Sequence, residues 1–141
     1  MVEDKSYVDI NIFTYWLGKH PKLGETAYGW IRKIESSKRK GRYVTSTLTP
    51  YEALVIIAGL TGKSLKNKAL VERVISSLTL LKGLALEPLR PEDFIQASEL
   101  MEEYNLDYED ALHLSVALRV NAKEIISNDK DFDRTPLKRI F

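Results

Sequence analysis

Cysteine is absent from the 141 residues, which removes disulfides, thiolate nucleophiles and cysteine-based zinc sites. Histidine is scarce, with only His20 and His113, so a histidine-rich zinc site is not expected either. Any metal has to be held by oxygen, which favours magnesium or manganese. Long hydrophobic runs are missing too. The longest, "ALVIIAGL", falls far short of the roughly 20 residues that cross a bilayer, and no membrane association is expected. The opening "MVEDKSYVDI" carries acids where a signal peptide has a basic and then an apolar stretch, so a cytoplasmic protein is expected. Net charge is +1, which leaves no global field to attract nucleic acid.

What is present suits one soluble domain spanning residues 1–141, with 44% hydrophobic and 29% charged residues, and no internal repeat or low-complexity linker. "SYVDI" starts as a β-type run ending at Asp9. From Ile12 the spacing of Ile12, Phe13, Trp16 and Leu17 predicts a helix, and a second helix is expected from near Pro21. "RYVTST" reads as a strand, "TPYEALVIIAG" as a helix, and "SLKNKALVERVISSLTLLK" as an amphipathic helix capped by Ser64. "GLALEPL" reads as a strand, "RPEDFIQASELMEEYN" and "DYEDALHLSVALRVNA" as helices, "EIISN" as a strand and "KRIF" as a short last strand. This alternation predicts an α/β fold: a three-layer α/β/α sandwich around a mostly parallel sheet. Ligands in such sheets bind beyond the carboxyl ends of the strands.

Acids recur at those ends. Asp9 closes the first strand, Glu52 lies early in the helix after the second, Asp110 starts the helix before the fourth, and Asp129 follows the fourth directly. Each has an ordinary explanation. Asp9, Asp110 and Asp129 suit helix starts and turns, and Glu52 suits the wet side of a half-buried helix. Their coincidence does not follow from those roles. At about 5 Å and an effective dielectric near 20, each pair of carboxylates repels by roughly 3 kcal/mol, which a fold tolerates where a cation sits between them.

The blocks "SYVDINIF", "TPYEAL", "LDYEDALHLSVAL" and "IISNDKDFD" resemble the PIN domain family, most of all its VapC-type toxins. The resemblance implies a metal-dependent endoribonuclease using Mg²⁺ or Mn²⁺ and leaving a 5′-phosphate and a 3′-hydroxyl. It puts Asp9, Glu52, Asp110 and Asp129 on the metal-binding acids, with Ser127, Asn11 and Asp131 as supporting neighbours. It also implies an RNA substrate, a cognate antitoxin and a homodimer. Trp16, Tyr28 and Trp30 are candidate surface residues for such partners, although most of the early aromatic residues fit the core. His113 matches a common family residue and is expected to be structural or on the surface.

Two other stretches invite a function. The basic "KIESSKRKGR" is a candidate for contact with the RNA backbone. "GLTGKS" resembles the end of a phosphate-binding loop, but the required first glycine is Ile57 and the segment follows a helix, so Gly59 and Gly62 read as a helix stop and turn. The alternatives are a non-catalytic PIN-like module that binds RNA or protein, and a haloacid-dehalogenase-like phosphatase. In the latter, Asn11 of "DINIFT" replaces the acid that would protonate the leaving oxygen.

Overall fold

Short strands with consecutive buried residues set the architecture. In a computed structural model describing residues 4–141, five strands lie parallel in the order β3-β2-β1-β4-β5. They are β1 (Lys5–Val8), β2 (Tyr43–Ser46), β3 (Leu84–Glu87), β4 (Ala122–Ile126) and β5 (Lys138–Ile140). Met1, Val2 and Glu3 of the acidic opening segment, and so the first three positions of the expected domain, lie outside the described residues.

Side chains alternate across a strand, and here both faces are covered. Val8 and Ile126 point into one core with Ile12, Phe13, Ile34 and Ile57, whereas Tyr7 and Ile125 point into another with Leu100, Leu114 and Phe132. The first core is roofed by α1 (Ile10–Leu17), α2 (Gly24–Ser36), α3 (Leu48–Thr61) and α4 (Lys68–Thr79), the second by α5 (Pro91–Tyr104) and α6 (Tyr108–Arg119). The expected three-layer α/β/α sandwich is what forms. Truncating a fully buried residue such as Ile126 to Ala should cost about 2–5 kcal/mol.

Register prepares the functional end. Val8 pairs with Ile126 across β1 and β4, so the next residues, Asp9 and Ser127, emerge side by side although 118 positions apart. Crossover helices are what allow such distant segments to meet in a parallel sheet.

Local details depart from the sequence reading. α2 begins at Gly24, after Leu23, rather than near Pro21. Ser64 does not cap α4; its hydroxyl accepts from the Lys66 amide in the preceding turn, and Asn67 caps the helix by accepting from Leu70 N–H. Gly59 lies inside α3, and Gly62 makes the stop in the left-handed region at φ 67°, a conformation that glycine adopts at little cost. A 3₁₀ turn, Lys130–Arg134, follows β4 and buries Phe132 completely.

The basic stretch runs from the end of α2 into the following loop. Its loop leads into the start of β2, where the Arg42 carbonyl accepts from Ser6 N–H and Gly41 N–H bonds to the Gly83 carbonyl. These are the amino ends of the strands, about 13 Å of extended chain from the carboxyl ends at the rise of a β-strand. Arg42 is engaged there by Ser6 and Glu124. The loop therefore stands at the rim opposite the acids.

Candidate active site

Asp9 is only 2% exposed. Its Oδ1 accepts from Ile10 N–H at 2.8 Å and its Oδ2 accepts from the Ser127 hydroxyl at 2.6 Å. Ser127 Oγ in turn receives the Asp129 amide at 3.0 Å and Asn11 Nδ2 at 3.3 Å. Because both of those neighbours are donors, the one Ser127 proton is committed to Asp9. Asn11 and Ser127 thus join the ends of β1 and β4 into one polar junction.

α6 brings a further acid to this junction. Asp107 caps that helix by accepting from Asp110 N–H at 2.8 Å, so the ordinary capping role belongs to Asp107. Asp110 is left to face the junction. Carboxylate oxygens of Asp110, Asp129 and Asp131 lie within 4.8 Å of one another. Asp129 also shapes its turn, accepting from Asp131 N–H at 2.9 Å. Asp131 is exposed and pairs with Arg134 at 3.2 Å. The same arginine bonds the Tyr104 and Asn105 carbonyls, so it ties the turn carrying Asp129 and Asp131 to the loop leading into α6.

Glu52 borders this group from α3. It is 8% exposed, not on the wet side of its helix as its spacing suggested; the outward positions are instead the apolar Tyr51, Val55, Ile56 and Leu60. Its Oε1 meets His113 Nε2 at 2.7 Å, and His113 Nδ1 meets the Tyr7 hydroxyl at 2.6 Å. His113 is 1% exposed, so it is an internal residue and not a surface one. Asp110 and His113 share a helix face at spacing i, i+3, a signal the sequence did carry. Tyr7 left no comparable signal.

The acids repel. Burial, with the neighbouring Asp129, raises the Asp9 carboxyl. Burial pushes Glu52 up to about 7, reinforced by Asp9 and Asp107. The adjacent Glu52 carboxyl, and then its own burial, raise Glu109 to about 7. Burial and the charges of Asp107, Asp9, Asp129 and Asp131 push Asp110 up to about 8. Burial lowers His113, which keeps the imidazole neutral. Among the described residues, no lysine or arginine pairs with Asp9, Glu52 or Asp110.

The donor set fits a hard divalent cation: carboxylate oxygens from several elements, with no thiolate and no free imidazole. Two buried acceptors, Glu52 Oε2 and Asn11 Oδ1, receive no hydrogen bond among the described residues, and a ligand or its water shell would satisfy them.

A sequence model of the PIN domain matches residues 6–138. The chain belongs to the PIN domain family. Three solved structures share its fold. A toxin–antitoxin complex from Klebsiella pneumoniae is 17% identical at a TM-score of 0.66, over 97% of both chains. VapC20 of Mycobacterium tuberculosis, a sarcin–ricin loop cleaving toxin, is 14% identical at 0.69, over 92% of this chain and 93% of that one. VapBC2 of Rickettsia felis, bound to a DNA fragment from its promoter, is 22% identical at 0.61, over 96% of both. No curated protein matches by sequence. PIN membership sets the haloacid-dehalogenase-like alternative aside. Among the described residues, no helix is long and apolar enough to cross a membrane.

Proposed function

We propose that this PIN domain is a divalent-metal-dependent endoribonuclease, the toxin of a toxin–antitoxin pair acting in the cytoplasm. The observation that carries this reading is the convergence of Asp110, Asp129 and Asp131 oxygens within 4.8 Å beside a buried, cation-free Asp9. Asp9, Asp110 and Asp129 would hold Mg²⁺ or Mn²⁺, with Asp131 at the rim. When bound, such ions supply Lewis acidity to a phosphodiester and lower the pKa of a nucleophilic water. Ser127 fixes Asp9 by donating to Oδ2, and Asn11 steadies Ser127. Glu52 binds the ion or, through Oε2, which has no partner among the described residues, orients the attacking water and takes up its proton.

The substrate fitting an acidic crevice at a sheet edge is single-stranded or loop RNA, whose exposed backbone can enter where a duplex cannot. The "KRKGR" loop stands at the other rim, about 13 Å of strand from the acids, and takes no part in holding the RNA backbone at the reacting bond. Partners follow from the company the fold keeps: two of the similar structures contain toxin–antitoxin assemblies, which supports an antitoxin for this chain. An open groove of about 420 Å³ is lined by Leu48, Tyr51, Val55, Ile56, Tyr108 and Leu112 together with Glu52 and Glu109; its apolar part supports a homodimer, because apolar faces of this kind mark association surfaces.

The test is a panel of structured and single-stranded RNAs with Mg²⁺ or Mn²⁺, then with chelator, followed by end-group analysis. Cleavage that needs metal and leaves 5′-phosphates is expected. Failure to cut any RNA with metal present would favour the non-catalytic binding module.

A further inference from the structure

A chain of hydrogen bonds runs from the backbone of β2 to the catalytic rim. Ser46 N–H approaches the Tyr7 hydroxyl at 3.2 Å, that hydroxyl meets His113 Nδ1 at 2.6 Å, and His113 Nε2 meets Glu52 Oε1 at 2.7 Å. Tyr7 and His113 are 0% and 1% exposed, so water does not compete for these bonds. The direction of each is fixed by its first member. A backbone N–H only donates, so the Tyr7 oxygen is an acceptor there and its single proton goes to Nδ1. The ring proton then resides on Nε2 and is donated to Oε1. The other Glu52 oxygen, Oε2, is left without a donor.

We propose that His113 is the positioning residue of the Glu52 carboxylate, held in the Nε2–H tautomer by Tyr7, so that Oε1 is anchored and Oε2 is presented to the reacting groups. The inference rests on the ribonuclease reading for what Glu52 does, but not for how it is held. An imidazole oriented by one partner to fix another is the logic by which outer groups steer ligands in metal sites, where their loss costs about 10–100-fold in affinity or activity. The chain also explains why a carboxylate can be buried on α3 with no lysine or arginine beside it.

The experiment uses the full chain with His113→Leu, His113→Gln and Tyr7→Phe. Long-range ¹H–¹⁵N spectra of the metal-free wild type should show His113 as a neutral Nε2–H ring, and Tyr7→Phe should give a mixture of tautomers. With Mn²⁺ and a single-stranded RNA, His113→Leu should lower kcat by about 10–100-fold at unchanged KM. His113→Gln, whose amide nitrogen replaces Nε2, should recover kcat to within about threefold. A neutral Nδ1–H ring, a folded His113→Leu with wild-type kcat, or a Gln variant as impaired as Leu overturns the proposal. If His113→Leu does not fold, Tyr7→Phe decides: unchanged tautomer and kcat overturn it. A wild-type chain that cuts no RNA overturns the ribonuclease reading alone, and the tautomer measurement still decides the anchor.

Discussion

Asp93 and Asp9 are almost equally buried, at 1% and 2% exposed, yet their environments are opposite. Asp93 receives Arg119 through both oxygens, at 3.1 and 2.8 Å, together with Ser115 and the Arg90 amide. Burial alone would raise its carboxyl, but the Arg119 bonds outweigh that and hold it low. Asp9 has two neutral donors, no arginine or lysine, and a raised carboxyl. One site is a finished ion pair joining α5 and α6; the other is an unfinished one. Inside a protein an acid without a cation is costly, so the contrast separates an acid kept for structure from acids that, on our proposal, are kept for a visiting ion.

The contrast can be broken most decisively at Asp9. Asp9→Asn should lower metal-dependent RNA cleavage by at least about 1000-fold, or about 4 kcal/mol of barrier, as read by single-turnover assays, while the protein stays folded. Arg119→Leu should do the reverse. It leaves Asp93 buried without its cation and should cost about 3 kcal/mol of stability in urea melts, with cleavage retained in the folded fraction.

Next in size is the response to metal and pH. Native Glu52 and Glu109 hold protons to about pH 7 and Asp110 to about pH 8, whereas unfolded carboxyls release theirs near about pH 4. The native state thus binds more protons across that interval, so metal-free stability is full below about pH 4 and falls as pH rises toward 8. Melting temperatures across this range should show the decline. Mn²⁺ at about 100 times its Kd should add about 2.7 kcal/mol at pH 8, and Asp9→Asn should be more stable than wild type only without metal. The smallest effect is expected at the opposite rim: Lys38→Ala with Lys40→Ala should change cleavage by less than about twofold, because about 13 Å of strand exceeds the screening length at physiological salt.

Much of this was legible in the residues. The strand and helix order follows from apolar period, and the carboxyl-end rule puts Asp9, Glu52 and Asp129 on one rim without coordinates; Asp110, at the start of a helix that runs back toward a strand's beginning, joined them only through the family resemblance. Other features were hidden for physical reasons. α6 is buried continuously from Ala111 to Ala117, so apolar periodicity picks out no inward face, and only the i, i+3 spacing from Asp110 placed His113 on the same side as that acid. α3 is apolar on both sides, with Ala53, Leu54, Ile57 and Ala58 buried and Tyr51, Val55, Ile56 and Leu60 exposed, so no polar face in its sequence tells where Glu52 points. Ser64 and Asn67 are both good caps, and only the turn made by Ser64 decides between them. In "DKDFD", acids on either side disguise Phe132 as part of a loop although it is fully buried. Tyr7 reads as one more core residue in β1; nothing local reveals that its hydroxyl meets a side chain 106 positions away.

The bond between Asp9 and Ser127 closes a loop of 118 residues, and β1, which carries Asp9, lies between β2 and β4 in the sheet. Contacts of such long range form late and slowly in parallel topologies. On the ribonuclease reading, partly folded chains therefore carry scattered acids with no site assembled from them, and cutting of RNA begins only when folding is done.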